Sequence, residues 1–206
     1  MSPGFKNLSS FIKWINRQEV HFSYRNGIRF GMEQWQVERA EGRPPDQMPE
    51  DKKILQKGSI GYKTEERGLP AVIYYRFNEN GRLIEITNHF SLASSFFPAE
   101  DSELRNNYYK DYLKIHTQIV SEYQEVSGYF AGKGNMGDTV RVYDWERELL
   151  AFKQYINTMP PLYFLFRLMV IWKYTHVEVF HTIDNYSNKM IMHTIICKAG
   201  EEVKNI

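Results

Sequence analysis

The chain has 206 residues, of which 42% are hydrophobic and 25% charged, values that are typical of a globular protein and exclude wholesale disorder. A formal net charge of +1 gives no strong signal for nucleic-acid binding. The single cysteine, Cys197, excludes an internal disulfide framework and suits an intracellular, reducing compartment, with a mitochondrion or another organelle as an open alternative.

The N-terminal segment, residues 1–39, is predicted to hold a basic amphipathic helix followed by a hairpin. Apolar residues recur there at a helical period, and three basic residues precede the first acidic residue, Glu19: Lys6, Lys13 and Arg17. Such a helix packs on its own domain or lies on a partner or a membrane surface. Residues 5–18 are therefore a candidate contact with a membrane surface. The same composition is typical of an organellar transit segment. The Asn26-Gly27 pair favours a tight hairpin turn.

A polar stretch separates this segment from the rest of the chain. Residues 40–70 are rich in charged residues, glycine and proline, which predicts an irregular connector or a long surface loop. Residues 71–206 are predicted to form the main α+β domain.

A hairpin is predicted from Ala71 to Ser91, with Asn80-Gly81 as its two-residue turn. The register places apolar residues opposite one another on one face and pairs Phe77 with Ile84, Tyr75 with Ile86 and Ile73 with Asn88. On the other face Arg76 lies directly across from Glu85, a pair that stabilises such a sheet by roughly 0.2–1 kcal/mol. Turn chemistry, apolar pattern and charge pairing therefore agree.

Two helices are predicted in the middle of the chain. The first begins near Pro98, has acidic residues in its first turns and carries an apolar residue every three or four positions up to Val126. Gly128 or Gly132 is expected to end it. The second covers apolar positions from Val142 to Ile156 and ends before the proline pair at residues 160–161.

The last third is ambiguous between helix and strand at its beginning. Leu162–Trp172 is apolar except for Arg167, and it is far shorter than the roughly 20 residues that a membrane span needs. From Val177 onward, alternation and β-branched residues predict two strands around a polar turn at residues 184–188.

Together these elements predict an α+β fold. Antiparallel β-hairpins would pack against one long amphipathic helix and one or two further helices. The sequence shows no internal repeat and no low-complexity tract.

Two short motifs support a catalytic alternative. His21-Phe22-Ser23 and His89-Phe90-Ser91 each place a histidine and a serine two residues apart, on one side of a predicted strand. Paired His-x-Ser/Thr motifs on strands resemble those of the two-histidine phosphoesterases. The resemblance covers these six residues and implies phosphodiester cleavage, with imidazoles as general acid and base and hydroxyls on a phosphate oxygen. The residues it implies are His21, Ser23, His89 and Ser91.

Neither a metal nor a cofactor is expected. His176, His181 and His193 would approach one another if the terminal strands pair, but His176 and His181 would face opposite sides of one strand. Residues 132–137 have the glycine spacing of a dinucleotide-binding loop, yet they follow a predicted helix, so a flexible loop between two helices is predicted instead. Cys197 lies in an apolar run, where a thiol is usually inert.

The favoured function is non-catalytic: a structural or adaptor subunit that contacts other protein subunits of a larger assembly. A membrane-associated or organellar assembly is one candidate. Aromatic residues form 15% of the chain, and such side chains are enriched at interfaces. Composition selects five candidate contact residues: Phe11, Trp14, Phe164, Phe166 and Trp172. A third hypothesis is a small-molecule binding module with its pocket between the sheet and the long helix.

Overall fold

The structure, a computed structural model, describes residues 23–46, 58–90, 102–123, 126–134, 139–157, 165–174, 176–187 and 190–200. These segments contain the strands β1 (Ser59–Glu66), β2 (Leu69–Phe77), β3 (Leu83–Phe90), β4 (Gly128–Gly134), β5 (Thr139–Val142), β6 (Leu165–Lys173), β7 (Val177–Ser187) and β8 (Met190–Ala199). They also contain a 3₁₀ turn (Arg25–Gly27) and the helices α1 (Gln34–Glu41), α2 (Ser102–Tyr123) and α3 (Trp145–Asn157).

All of these strands belong to one antiparallel sheet, in the order β1-β2-β3-β8-β7-β6-β4-β5. Strands that follow each other along the chain, such as β1 and β2 or β7 and β8, pair as hairpins. The sheet is continuous because β3 pairs with β8 and β4 pairs with β6, which are strands separated by other elements in the sequence.

The predicted fold class is therefore wrong. Hairpins packed against a long amphipathic helix were expected, whereas one eight-stranded sheet dominates the structure and the helices are accessory to it. The physical reason is that the sequence patterns used for the prediction report only on residues close to one another in the chain. Turn residues and apolar alternation identify neighbouring strands, but they do not specify which distant strands share backbone hydrogen bonds.

Helix α2 packs on one face of the sheet, called the inner face below, and the core lies between them. Ile115 and Ile119 of α2 are fully buried in one apolar cluster with residues of six strands, including Ile73, Ile86 and Val179. A second cluster joins α2 to α3 and to strands of the other half of the sheet: Tyr109, Tyr112, Ala131, Phe152, Phe166, Leu168 and Ile183. Each large apolar side chain buried in this way contributes about 1.5–3 kcal/mol, so these contacts fix the position of α2.

The hairpin predicted around Asn80-Gly81 is confirmed as β2–β3. The predicted register is confirmed from Ala71 to Arg76, where Arg76 faces Glu85 and its Nη2 lies 2.8 Å from a carboxylate oxygen of Glu85. Local turn chemistry and cross-strand pairing are therefore sufficient to specify this element.

A β-bulge beside the turn shifts the last pair of this hairpin by one residue. Phe77 pairs with Leu83 rather than with Ile84, and Leu83 takes the buried position that Ile84 was expected to hold. The Asn78 side chain stabilises the wider turn, because its Oδ1 accepts hydrogen bonds from the backbone N–H groups of Asn80 and Arg82, at 3.0 and 2.9 Å.

The hairpin predicted at Asn26-Gly27 is wrong. Arg25–Gly27 form a single 3₁₀ turn with Asn26 at φ 56°, and the chain then enters α1 instead of returning as a strand. A capping box begins α1, since the side chains of Glu33 and Gln36 each accept a hydrogen bond from the other's backbone N–H. The Glu-x-x-Gln spacing of this box is visible in the sequence.

The predicted irregular connector, residues 40–70, contains strand β1. This strand pairs with β2 through the Arg67-Gly68 turn, so the expected boundary before residue 71 falls inside a hairpin. The division into 1–39, 40–70 and 71–206 as domains stays a prediction. The basic helix expected around residues 5–18 lies outside the described residues.

Further predictions concern the second half of the chain. The second predicted helix is confirmed as α3, although it begins at Trp145, and Val142 belongs to β5. The expected helix ends and flexible loop at Gly128 and Gly132 are wrong, because both glycines lie in β4. The described part of the ambiguous apolar run, from Leu165, belongs to strand β6, and the two strands predicted after it are confirmed as β7 and β8. The polar turn predicted at residues 184–188 is wrong in position, because residues 184–187 pair with β8 as part of β7. In the described ranges we find no helix that is both long and apolar enough to span a membrane.

The turn between β2 and β3 offers a test of the fold. Replacing Asn78 by Ala removes the acceptor for two backbone N–H groups, and we expect the free energy of unfolding to fall by about 1 kcal/mol. Urea denaturation of the full chain measures it. Asn80→Ala is the matched control, because it truncates an exposed side chain of the same turn. Equal destabilisation by both variants would show that the side chain of Asn78 does not hold the turn.

Candidate functional site

A cavity of about 230 Å³ lies between the C-terminal half of α2 and the inner face of the sheet. The 3₁₀ turn and the β1–β2 turn contribute to its wall. We call this cavity the polar cleft, and define it by its lining residues: Ser23, Tyr24, Arg25, Glu66, Arg67, Asn88, Ile119, Glu122, Tyr123, Ile195 and Cys197.

The buried part of the polar cleft is mostly apolar. Ile119, Ile195 and Cys197 are all at least 96% buried. Asn88 is the buried polar group here, and it accepts a hydrogen bond at 2.5 Å from the hydroxyl of Tyr24. Burial raises the pKa of the Cys197 thiol to about 12, so this thiol stays protonated at neutral pH and is a poor nucleophile.

A bidentate ion pair closes one side of the polar cleft. Arg67 adopts φ 55° and Gly68 φ 76°, and the two form the turn between β1 and β2. The guanidinium of Arg67 donates to both carboxylate oxygens of Glu122 on α2, at 2.5 and 2.7 Å. A left-handed conformation is uncommon for arginine. At Arg67 it places the guanidinium where its hydrogen bonds to Glu122 connect the turn to the helix.

A looser ion pair lines the other side. Arg25 Nη1 lies 3.6 Å from Glu66 Oε2, beyond hydrogen-bond distance, and Arg25 Nε lies 3.6 Å from Glu41 Oε1. Among the residues that the structure describes, the Arg25 side chain donates a hydrogen bond to Thr64 Oγ1 at 3.0 Å. Burial raises the pKa of the Glu66 carboxyl, although Arg67 and Arg25 oppose this shift.

Next to the polar cleft the same face of α2 covers a group of imidazoles. We call it the histidine cluster: Tyr112 and His116 of α2, His181 of β7 and His193 of β8. The Nε2 atoms of His181 and His193 lie 2.8 Å apart, and both side chains are at least 99% buried. Tyr112 stacks on His181 with ring centroids 4.5 Å apart, and His116 stacks on His181 at 5.7 Å.

The contact between His181 and His193 relates the tautomers of the two rings. A hydrogen bond between two Nε2 atoms needs one donor and one acceptor, so the two neutral rings are opposite tautomers. One Nδ1 is then an N–H donor and the other an acceptor. Among the described residues neither Nδ1 has a hydrogen-bond partner, and the same holds for the Tyr112 hydroxyl. A buried polar group without a hydrogen-bond partner costs about 1–3 kcal/mol of desolvation free energy.

Burial lowers the pKa of each imidazole in the histidine cluster. The pKa of His116 falls to about 4 and that of His193 to about 3, and His181 is shifted in the same direction by burial and by its two imidazole neighbours. The cluster is therefore neutral at physiological pH. Neutral rings with such low pKa values are weak proton acceptors, so the geometry favours hydrogen bonding and stacking over acid–base catalysis.

The polar cleft and the histidine cluster share a wall. On β8, His193 and Ile195 are two residues apart and both are buried on the inner face, and on α2 His116 precedes Ile119 by three positions. The isoleucine side chains therefore separate the imidazoles from the polar groups of the cleft.

The structure does not bring together the described residues of the two His-x-Ser motifs. Ser23 lines the polar cleft on the inner side of the sheet. His89 lies on the opposite face, where its ring packs edge-on against Tyr74 at 5.4 Å and burial lowers its pKa to about 4. His21 and Ser91 lie outside the described residues.

Two of the five candidate contact residues lie in the interior. Phe166 is 2% exposed and Trp172 is fully buried, so neither side chain is presented to a partner. Phe11, Trp14 and Phe164 lie outside the described residues. Composition selected these aromatic residues without distinguishing core from surface.

The terminal hairpin brings His181 and His193 together, while His176 precedes β7. In the part of the chain that the structure describes, no group of three or more His, Cys, Asp or Glu side chains has an arrangement that could hold a metal ion.

Sequence reasoning missed most of the lining of the polar cleft. Arg25 lies in the hairpin that the sequence predicts at Asn26-Gly27, and Glu66 and Arg67 lie in the predicted connector, whereas the structure places them in a 3₁₀ turn and at the β1–β2 turn. The Arg67-Gly68 pair follows a run of alternating residues, so it could have been recognised as a hairpin turn. No local pattern marks the approach of α2 to this turn.

Comparisons of the chain with protein-family models, with curated proteins and with solved structures find no match.

The low pKa values in the histidine cluster predict how stability depends on pH. Below pH 6.5 the unfolded imidazoles bind protons while the folded ones do not, so the free energy of unfolding falls as the pH falls from about 6.5 towards 4. His181 and His193, whose pKa values are both lowered by burial, together add at most about 3 kcal/mol per pH unit to the slope. We expect a His181→Leu/His193→Leu variant to lose this part of the slope between pH 6.5 and 5, measured by urea denaturation.

A matched control removes an imidazole outside the histidine cluster. His176→Leu should keep the steep dependence of the native chain. Parallel stability–pH curves for the native chain and the double variant would contradict the assignment of the buried, neutral imidazoles.

Proposed function

We propose that the chain is a small-molecule binding module whose ligand occupies the polar cleft. The observation that carries this proposal is the cavity of about 230 Å³ between α2 and the inner face of the sheet, with buried apolar residues on one side and polar groups on the other. Ligand sites in proteins commonly combine an apolar surface with a few fixed polar groups in this way. The lining residues come from five separate elements, the 3₁₀ turn, β1, β3, α2 and β8, and hydrogen bonds such as Tyr24–Asn88 and Arg67–Glu122 connect them, which favours a preformed site.

The chemistry of the lining supports binding rather than catalysis. The Cys197 thiol is held protonated by burial, and the neighbouring imidazoles of His116 and His193 have pKa values well below neutrality. Nucleophilic or acid–base catalysis needs groups whose pKa values lie near the working pH. The groups of this site are instead suited to hydrogen bonding and apolar contact.

The role of a structural or adaptor subunit, in an intracellular or organellar assembly, stays a prediction. Its support is the aromatic content of the chain together with four large apolar side chains that are exposed in the described segments: Trp35, Val140, Tyr143 and Leu150. Purification of the chain from its native source under mild conditions, followed by a mass measurement, tests it. Recovery as a monomer would contradict it.

A substitution at the edge of the polar cleft tests the binding proposal. Ser23 is exposed and lines the cleft, so Ser23→Trp fills the cavity without disturbing the core. The probe is the neutral amphipathic alcohol 4-phenylbutan-1-ol, followed by ligand-observed NMR with the full chain. We expect saturable binding to the native chain and a loss of about tenfold or more in affinity in the variant, since each tenfold step is about 1.4 kcal/mol.

The matched control is Asn107→Trp, which adds the same ring at an exposed position of α2 that does not line the cleft. It should bind the probe as the native chain does. Absence of binding to the native chain, or equal binding by both tryptophan variants, would overturn the proposal.

A further inference from the structure

The charged groups of the polar cleft are not equally paired, and this difference bears on the ligand. The inference rests on the proposed binding function and concerns the class of ligand. Arg67 and Glu122 satisfy each other through two short hydrogen bonds. Such a bidentate pair presents little net charge to the cavity.

Arg25 is shared between two carboxylates, those of Glu41 and Glu66, and hydrogen-bonds to neither of them. It donates to Thr64 and lies 3.6 Å from Glu41, whose carboxylate is nearly buried and also accepts a hydrogen bond from the hydroxyl of Tyr75. Glu41 is not among the lining residues, so it balances the charge of Arg25 from outside the cavity.

Glu66 is therefore the surplus carboxylate of the polar cleft. Within the described segments it accepts no hydrogen bond, and its two ion-pair contacts, with Arg25 Nη1 and Arg67 Nε, are long, at 3.6 and 3.9 Å. Its side chain is only 16% exposed, so water stabilises the carboxylate less than it would on the surface. The exposed Lys114 lies near Gly68 but does not line the cavity. A half-buried carboxylate without a hydrogen-bond donor is a site for a ligand that brings one.

Two aromatic rings lie in the same lining. Tyr24 and Tyr123 both border the cavity, and the face of a tyrosine ring attracts a cation. Burial keeps both phenols protonated, because it raises their pKa values further above neutrality. The apolar side chains of Ile119, Ile195 and Cys197 provide the surface for the rest of the ligand.

We infer that the polar cleft binds a small amphipathic amine, whose ammonium group donates hydrogen bonds to the Glu66 carboxylate and whose apolar body lies on Ile119, Ile195 and Cys197. A carboxylate ligand would approach Glu66 with like charge. A neutral alcohol would leave Glu66 without a cationic partner. The polar cleft therefore discriminates by charge as well as by shape.

Three probes with one common body test this inference: 4-phenylbutylamine, 4-phenylbutan-1-ol and 4-phenylbutyrate. The full chain is titrated at neutral pH and followed by ligand-observed NMR. We expect the amine to bind about tenfold more tightly than the alcohol, because a hydrogen-bonded charge pair is added, and the carboxylate to bind most weakly. Equal affinities for the amine and the alcohol, or tightest binding of the carboxylate, would overturn the inference.

The variant that isolates the carboxylate is Glu66→Gln, which keeps the shape of the side chain and removes its charge. We expect it to lower the affinity for the amine about tenfold and the affinity for the alcohol much less, because the hydroxyl of the alcohol can still donate a hydrogen bond to the amide oxygen that replaces the carboxylate. The alcohol thus reports that the variant is folded and that its cleft is intact. Glu65→Gln is the matched control, since Glu65 is the exposed neighbour on the same strand, and it should change neither affinity. An amine affinity that Glu66→Gln does not lower would contradict the role of Glu66.

The two proposals fail in different ways. If the alcohol binds in a manner that Ser23→Trp abolishes but the amine binds no more tightly, the ligand class is wrong and the binding function stands. If none of the three probes binds to the native chain, the proposed function fails together with the inference.

Discussion

The contact between helix α2 and the inner face of the sheet is the constraint on which the polar cleft and the histidine cluster both depend. Tyr112, Ile115 and Ile119 recur on one face of the helix and are fully buried against strands from both halves of the sheet. The neighbouring positions of the same face carry His116 and Tyr123, so the apolar contact that positions the helix also positions polar groups in the interior. The burial of isoleucine and tyrosine compensates for the burial of these polar groups.

The pairing of β3 with β8 and of β7 with β8 decides which polar residues meet under this helix. His193 is paired with Ile183 on one side and with Phe90 on the other, and its imidazole reaches His181 on the same face. On the outer face the hydroxyls of Thr182 and Thr194 hydrogen-bond to each other across the same two strands. The hairpin therefore carries polar pairs on both of its faces, which is unusual for central strands of a sheet.

How much of this was predictable from the sequence depends on the distance over which each signal acts. The β2–β3 hairpin follows from the Asn80-Gly81 turn and the Arg76–Glu85 pair, which are local features. The terminal strands also follow from local alternation. The joining of these two hairpins into one sheet, through the pairing of β3 with β8, depends on contacts between residues about a hundred positions apart, and no local pattern encodes it.

The candidate site was missed for the same reason, although all its residues were visible in the sequence. Ser23 belongs to the first His-x-Ser motif and His89 to the second. The pleat of the sheet places His89 on the outer face, away from the polar cleft that Ser23 lines. The residues that do meet there, Arg25, Glu66 and Glu122, come from a turn, a strand end and a helix, and they have no common spacing. The pairing of charged groups in the polar cleft is therefore determined by tertiary contacts. Arg67, held in a left-handed conformation, neutralises Glu122 on the helix, and this pairing leaves the carboxylate of Glu66 as the group that a ligand can satisfy.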